Sequence, residues 1–314
     1  MLSNLTAVIL TYNEELHIGR CIERLRTIAG RIVVVDSYST DRTLDIAKAL
    51  GAEIYQNAFT FHAAQFQWGL AAAGIESGWI LRVDADEYLE PALLEELRET
   101  LPTLPEMVSA IEFRRKVFFR GKWIRWGGFY PTHLTRLWRA GTAHVEQRWM
   151  DEHVLVERGE TIRMRRGDIV DDNLKDITEW TSKHNSYSTR QMIEFIALEQ
   201  PRLMPRDSSG QLNSAANSKR FLRNRVYAGS PLYLRAVLYF LQRYLLRLGF
   251  LDGRSGFVFH TLQGYWNFIL IDAKIDEARR YIARYGLDAF RDHLAWRHGI
   301  HLAPLAGDVT VPSS

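Results

Sequence analysis

Cysteine is almost absent from this chain of 314 residues, in which Cys21 is the single one. An intrachain disulfide is therefore excluded, and so is a zinc site built from several thiolates; such a composition is typical of a reducing compartment. The N-terminus lacks a basic segment followed by an apolar one, so no signal peptide is expected. The longest uncharged run near the C-terminus, residues 255–271, is too short and too polar to predict a membrane span.

Apolar and aromatic residues are abundant by contrast. They make up 46% and 12% of the chain, far more than a disordered protein carries, and the length predicts one large domain or two smaller ones. The net charge of +3 is unevenly placed, because residues 201–254 hold ten Lys or Arg against two acids and carry +8. A basic stretch beside an acidic remainder indicates a polyanionic surface as partner.

The first hundred residues alternate between strand and helix patterns. Apolar runs predict strands at 5–11, 31–36, 53–56 and 79–83, with helices between them at 14–28, 42–50 and 62–76. Such alternation predicts βαβ units and a parallel sheet, in which ligands bind at the carboxyl ends of the strands. Beyond it the pattern predicts a β-rich aromatic stretch at 109–156 and helices at 172–200, 231–248 and 256–284.

Acidic residues follow two of these strands. Asp36 ends the second strand, and Asp84 and Asp86 follow the fourth, so all three are expected at one edge of the sheet. Two carboxylates in such a D-x-D turn suit Mg²⁺ or Mn²⁺ shared with substrate phosphates. The chemistry this favours is departure of a diphosphate whose growing charge the metal neutralises. The alternative interpretation is that these acids only cap a following helix.

The loop after the first strand, residues 11–15, has neither the glycine-rich dinucleotide fingerprint nor the P-loop pattern. Nicotinamide enzymes and P-loop enzymes are therefore disfavoured. Asn13 is expected to cap the next helix, while its neighbours hold a base or ribose from the same edge of the sheet; the two roles are compatible.

Three blocks of this region, at 10–15, 33–43 and 81–87, resemble the signature blocks of family-2 inverting glycosyltransferases. Further blocks are similar to the lipopolysaccharide-core glucosyltransferase subgroup, and they lie at 127–131, 136–139, 150–153, 183–187 and 249–253. The resemblance implies an α/β GT-A fold, a Rossmann-like nucleotide-diphospho-sugar transferase with a mixed sheet flanked by helices. C-terminal amphipathic helices are expected to follow it.

The resemblance also implies roles on the donor side. The expected nucleotide-sugar and metal residues are Thr11, Asn13 and Glu14 lining the pocket, Asp36 on the uracil or equivalent base, Asp84 near ribose and metal, and Asp86 as metal ligand. Arg136 is expected to hold the donor diphosphate or an anionic acceptor. The helix before the D-x-D departs from the family pattern, because it has Gln65 and Gln67 where many relatives carry a basic residue or Asn. A diphosphate contact from that helix is left open.

An inverting transfer needs one base that deprotonates the acceptor hydroxyl. Asp151 and Glu152 are the candidates, and by the resemblance the second acid of such a pair is the base, which favours Glu152. The alternative is that both are solvated turn acids.

An acceptor wall is expected from four residues upstream of these acids. They are Trp123, Arg125, Trp126 and Tyr130. Aromatic faces pack against sugar CH groups, and Arg binds phosphate or carboxylate. Ordinary core packing is the alternative for the aromatic side chains.

The predicted helix at 231–248 has an uneven distribution of polar residues. Arg235, Gln242, Arg243 and Arg247 fall on one side of it and apolar residues fill the rest, a pattern typical of a helix lying on an anionic membrane. Packing on its own domain or in a homodimer is the alternative. No nucleic-acid module accompanies the charge, so nucleic acid is not expected as a partner.

The resemblance implies that the protein is an enzyme, an inverting hexosyltransferase of family 2. We expect a catalytic domain at 1–205, a basic linker at 206–230 and a helical region at 231–300 that associates with membrane or dimerises. The expected partners are a nucleotide-diphospho-sugar donor, first of all a UDP-sugar, and a lipid-linked glycan such as lipopolysaccharide core. The expected location is the cytoplasmic, inner face of the cell membrane. The alternatives are a polyprenyl-phosphate glycosyltransferase of the same fold and a non-catalytic glycan-assembly scaffold.

Overall fold

The computed structural model describes residues 1–147, 152–203 and 231–302. Four parallel strands form one half of its main sheet: β1 (Leu2–Thr11), β2 (Ala29–Asp36), β3 (Glu53–Gln56) and β4 (Trp79–Asp84). Residues 7–10 of β1 and 32–35 of β2 are uninterrupted apolar runs and all are buried, because both faces of these strands are covered. The predicted parallel sheet is therefore confirmed, in the order β3-β2-β1-β4.

The other half of the sheet is mixed, and it continues from β4 in the order β8-β6-β11-β5. Its strands are β5 (Glu87–Leu89), β6 (Val108–Phe119), β7 (Lys122–Ile124), β8 (Thr132–Arg139) and β11 (Glu160–Asp172). β6 and β11 are parallel, β8 and β5 run antiparallel to their neighbours, and β7 pairs with β6. A separate hairpin joins β9 (Ala143–Val145) to β10 (Val154–Val156).

Helices cover both faces of the sheet. They are α1 (Ile18–Leu25), α2 (Thr43–Ala49), α3 (His62–Ala72) and α4 (Pro91–Thr100). One core cluster includes Ile22 of α1 and Leu93 of α4, and a second, which includes Phe66 of α3, contains alternate residues of the same strands. The mixed sheet flanked by helices is the predicted α/β fold.

Two compact units make up the chain. The first comprises Met1–Ile177 and Phe240–Thr261, and the second comprises Thr178–Tyr239 and Leu262–Ser314. The expected linker at 206–230 lies outside the described residues, and the boundaries at 1–205 and 231–300 stay predictions. Among the described residues, no helix has both the length and the apolar character needed to cross a membrane.

The described part of the chain also contains the helices α5 (Ile177–Glu199), α6 (Leu234–Leu241), α7 (Gly253–Phe259) and α8 (Asn267–His298). A π-helical turn, Gln242–Leu246, continues α6. In the second unit, Lys274 of α8 donates hydrogen bonds to side chains of Asn185, Ser188 and Thr189 on α5.

The prediction of a cationic face on the helix at 231–248 was wrong for two of its arginines. Arg235 is buried and forms an ion pair with buried Asp272, and Arg243 is buried against the ring of Phe129. Both guanidinium groups bind partners inside their units because a buried charge needs one. The exposed side chains are largely apolar instead, and Leu246 is 79% exposed.

Candidate active site

Strand register brings the predicted acids to one edge of the sheet. Thr11 pairs with Asp36 in β2, and Leu10 pairs with Asp84 in β4, so three adjacent strands end level with one another. Gln56 at the end of β3 pairs in turn with Asp36. The expectation that the strand-end acids share an edge is confirmed.

The loop after β1 is hydrogen-bonded to the loop after β2. Asn13 has a left-handed backbone with φ of 52°, its N–H donates to Ser39 Oγ at 2.9 Å, and its Oδ1 accepts from the N–H of Thr40 at 2.8 Å. Asp36 is fully buried and accepts hydrogen bonds from the N–H and hydroxyl of Ser39 and from Gln56 Nε2. Asn13 therefore joins two loops, where the sequence predicted a helix cap.

Of two further residues in the predicted nucleotide pocket, Glu14 is paired with charged or basic side chains, whereas the Thr11 hydroxyl has no hydrogen-bond partner among the described residues. Glu14 lies 2.6 Å from His17 Nδ1 and 3.0 Å from Lys175 Nζ. The hydroxyl of Thr11 is buried and has no hydrogen-bond partner among the described residues. A buried polar atom without a partner marks a position where a ligand or water can bind.

Charged side chains cluster at the D-x-D turn, and two of them, Arg136 and Glu87, are buried. Arg136 of β8 lies 3.1 Å from Asp84 Oδ2 and 2.5 Å from Glu87 Oε1. Partial burial would raise the pKa of the Asp84 carboxyl, but the charges of Arg136 and Arg82 outweigh it and hold this pKa well below its usual range. Burial raises the pKa of the Glu87 carboxyl, an effect that Arg136 opposes.

Asp86 is held by the chain that follows β11. Its Oδ2 accepts a hydrogen bond from Asn173 Nδ2 at 3.1 Å, and its backbone oxygen accepts one from the N–H of Asp172. Asp84 and Asp86 are both partly exposed, and carboxylate oxygens are the ligands that a hard divalent cation would take at this position. Within the described ranges, no group of three or more His, Cys, Asp or Glu is arranged to hold a metal ion.

Glu152 reaches the same cluster from the β9–β10 hairpin. Its Oε1 lies 2.6 Å from Arg82 Nη2, and both side chains are nearly buried. Burial lowers the pKa of Arg136, but the charges of Glu87 and Asp84 and, to a smaller extent, that of Glu152 outweigh it and raise this pKa above its usual value. The preferred base candidate is thus brought beside the D-x-D turn. The second candidate, Asp151, lies outside the described residues.

The predicted acceptor residues form a cluster around Trp123. Its ring meets the ring of Tyr130 edge-on at 5.0 Å, and the Arg125 guanidinium lies within 6 Å of the rings of both Trp123 and Trp126. Tyr130 donates its hydroxyl to Asp168 at 3.1 Å. Burial and the Asp168 charge raise the pKa of Tyr130. Trp126 remains 36% exposed.

Three residues of the site were missed by sequence reasoning, namely Arg82, Asn173 and Lys175. Arg82 carried a signal, because a charged residue inside an apolar strand that is covered on both faces needs a buried partner. The other two follow β11 and gave no signal, since their contacts with Asp86 and Glu14 join positions 87 and 161 residues apart.

About half of the chain is similar to a known protein family. The profile described as "Glycosyl transferase family 2" matches residues 6–166. The lipopolysaccharide core biosynthesis glycosyltransferase LpsC of Rhizobium meliloti is 27% identical over 92% of this chain and 98% of its own length. An uncharacterized glycosyltransferase of Rickettsia bellii is 38% identical over 30% of this chain and 31% of its own, so the chain spans about a third of that relative.

Solved structures give a more limited likeness. Glucosyl-3-phosphoglycerate synthase from Mycobacterium tuberculosis, in complex with Mn²⁺, uridine diphosphate and glucosyl-3-phosphoglycerate, is 25% identical. The alignment covers 37% of this chain and 44% of that one, with a TM-score of 0.29. This likeness is too small to assign a ligand to the present chain.

Proposed function

Since the chain belongs to glycosyl transferase family 2, we propose that it transfers one sugar from a nucleotide-diphosphate donor to a hydroxyl of a lipid-linked glycan, with inversion. The observation that supports this proposal is the ion pair between Glu152 and Arg82, which precedes Asp84 by two residues in β4. A base and a diphosphate site next to each other are what a single displacement requires.

The donor site consists of the strand ends and the two loops joined by Asn13. We assign the nucleotide to Thr11, Asn13, Glu14 and Asp36, with a UDP-sugar as the first donor to test. Asp84 and Asp86 would hold Mg²⁺ or Mn²⁺, which neutralises charge on the departing diphosphate. Arg136 lies against Asp84 and adds a positive charge at the same edge of the sheet.

Glu152 is the base of this proposal. The acceptor oxygen forms a bond to the anomeric carbon while the bond from that carbon to the diphosphate oxygen breaks, and Glu152 takes the hydroxyl proton. Arg82 keeps the carboxylate in place before the reaction. Trp123, Arg125, Trp126 and Tyr130 are proposed to bind the acceptor glycan.

Calorimetry tests the donor side directly. The purified protein is titrated with UDP, GDP and their sugars, with and without Mn²⁺, next to Asp86→Ala and to Asp45→Ala, a control at an exposed aspartate on α2. We expect metal-dependent binding of one nucleotide that Asp86→Ala loses and Asp45→Ala keeps. A folded protein that binds no nucleotide would contradict the proposal and favour the scaffold alternative.

A lipid-bearing acceptor, first of all lipopolysaccharide core, is supported by an apolar surface in the first unit. The apolar segment 241–257 exposes seven large side chains by 39–79%, and they are Leu241, Leu245, Leu246, Leu248, Phe250, Leu251 and Phe257. Exposed basic residues lie in and beside this segment. Arg247 and Arg254 belong to it, and Lys122 is its neighbour, since the Lys122 Nζ would lie 3.7 Å from a Cβ built at Gly253. Apolar side chains among cations suit the surface of an anionic membrane.

We therefore propose peripheral attachment to the inner face of the cell membrane through this segment. The protein should co-sediment with vesicles of phosphatidylethanolamine and phosphatidylglycerol, and a smaller fraction of it should co-sediment with vesicles of phosphatidylcholine alone. Leu246→Glu should weaken the association, whereas Met107→Glu, at another exposed apolar side chain of the same unit, should not. Equal sedimentation of both variants, or a stable homodimer that hides Leu246, would overturn this part of the proposal.

A further inference from the structure

The loop between β7 and β8 has three successive backbone N–H groups, those of residues 125–127, that donate to acceptors in a distant part of the chain. Gly127 and Gly128 both have a positive φ, of 74° and 79°, which turns the chain sharply after Trp126. The amide groups at this turn leave the sheet ladder, so they need partners from elsewhere in the fold. The structure supplies them from a part of the chain more than a hundred residues away.

The two carboxylate oxygens of Asp252 accept hydrogen bonds from two of these amide groups. Oδ1 accepts from the N–H of Arg125 at 3.2 Å, and Oδ2 accepts from the N–H of Trp126 at 2.9 Å. The aspartate is 4% exposed, so these hydrogen bonds are shielded from water. A carboxylate that accepts from adjacent backbone N–H groups holds them more strongly than a neutral acceptor would.

The next residues of the loop are held by the same C-terminal segment. The N–H of Gly127 donates to the backbone oxygen of Arg247 at 2.8 Å, and the oxygen of Gly127 accepts from Arg243 Nε at 3.2 Å. The Arg243 guanidinium also lies 3.7 Å from the ring centre of Phe129. Residues 125–127 of the loop are thus fixed through backbone hydrogen bonds, and Phe129 is fixed through its ring.

The side chains at the same positions stay available. Arg125 and Trp126 are exposed, although both of their amides are engaged by Asp252. A fixed backbone that presents an aromatic face and a guanidinium to solvent is a preorganised binding surface, which avoids part of the entropy cost of ordering on binding.

We propose that Asp252 is a positioning residue for the acceptor: it fixes the loop 125–130 so that Arg125 and Trp126 meet the acceptor glycan in one orientation. The inference rests on the proposed glycosyl transfer. It differs from a role in catalysis, because the hydrogen bonds of the Asp252 carboxylate within the described residues go to the backbone of the loop. It predicts an effect on acceptor affinity that leaves donor affinity unchanged.

The test compares Asp252→Ala and Asp252→Asn with the unchanged protein and with Asp45→Ala. Transfer from radiolabelled UDP-glucose, or from the nucleotide sugar that calorimetry selects, is measured on detergent-solubilised lipopolysaccharides with successively truncated cores. We expect Asp252→Ala to raise the acceptor KM about tenfold, since two hydrogen bonds to a charged group are lost. Asn keeps one acceptor oxygen and should restore part of the affinity, while the donor Kd and kcat stay within about twofold.

Hydrogen exchange reports on the loop itself. In Asp252→Ala the amides of Arg125 and Trp126 should exchange faster, with β1 and β4 unchanged. An unchanged acceptor KM despite faster exchange would overturn the positioning role, and so would a parallel loss of donor affinity in both variants. Should Asp252→Ala not fold, the Asp252→Asn values decide in the same way. If the unchanged protein transfers no sugar to any of the acceptors, the proposed function itself fails.

Discussion

Arg82 and Glu152 form an ion pair with 2.6 Å between Nη2 and Oε1, and their side chains are only 7% and 10% exposed. The pair links strand β4, two residues before the D-x-D turn, to a hairpin 70 residues further along the chain. Removal of one partner leaves the other charge buried and uncompensated. That cost is large in proteins, whereas removal of both partners is often mild.

A double-mutant cycle should measure this coupling. Arg82→Gln and Glu152→Gln are each expected to lower the free energy of unfolding by about 2–4 kcal/mol, and the double variant to lower it by less than their sum. Urea unfolding gives the three values. The Arg31–Glu53 pair provides the control, since it has the same 2.6 Å distance but exposures of 31% and 45%, and its coupling should stay below about 1 kcal/mol. Equal coupling in both pairs would contradict the argument.

Glu152→Gln should also lower kcat by a factor of about 10² to 10⁴, because the acceptor hydroxyl loses its base, while nucleotide binding persists. Glu157→Gln in the same hairpin is the matched control at an exposed glutamate, and it should keep full activity. The rates are measured with saturating donor and acceptor. Activity that survives Glu152→Gln would point to an acceptor that is already ionised, as a polyprenyl phosphate is.

His260 should make the stability of the fold depend on pH. It is fully buried, its two ring nitrogens have no hydrogen-bond partner among the described residues, and burial together with the Arg243 charge lowers its pKa to about 4. The unfolded state, with a pKa near 6.5, binds the proton first, so stability falls as the pH drops from about 6.5 to 4.

The variant His260→Gln isolates this contribution. It should reduce the stability difference between pH 7 and pH 4.5 by about 1–3 kcal/mol, measured by urea unfolding at both pH values. Burial also lowers the pKa of His184 to about 4. His184 is present in the unchanged protein and in the variant, so it contributes equally to the pH dependence of their stability. An identical pH dependence of the two proteins would show that His260 is not the group responsible.

Gly127→Ala should be much more costly than Gly141→Ala. Both positions have almost the same positive φ, of 74° and 75°, so both variants share the backbone penalty of about 1–2 kcal/mol. A Cβ at Gly127 would lie 2.1 Å from His260 Cε1, whereas a Cβ at Gly141 would meet nothing within 4 Å. We expect Gly127→Ala to cost about 2 kcal/mol more in thermal or urea unfolding. Similar losses would mean that the ring of His260 moves aside freely.

Local pattern was enough to predict which acids lie at the carboxyl edge of the parallel strands. Apolar strands that alternate with helices specify a parallel sheet, and the strand ends then place Asp36 and Asp84 within one residue of the same level. The loop contacts of Asn13 were not predictable, since an Asn before a helix usually serves as a cap and here adopts a left-handed backbone.

Long-range contacts account for what the sequence did not predict. A helical wheel around Arg235 and Arg243 gives the spacing of side chains but not which side faces the protein, and both arginines turned out to be buried. The contact of Asp252 with the 125–130 loop could not be predicted for the same reason. It joins residues 126 positions apart, and no neighbouring sequence pattern indicates it. Such contacts arise only when both elements have folded.

The position of β4 between the parallel and mixed halves of the sheet has a consequence for biosynthesis. β4 carries the D-x-D, but its second neighbour, β8, is made about 50 residues later, and Asn173, which holds Asp86, later still. Until then the nascent chain presents β4 as an unpaired edge with open N–H and C=O groups, a template for association with other chains. Truncations that stop before β8 should therefore aggregate although they contain all three signature blocks, and soluble expression should require the chain at least through β11.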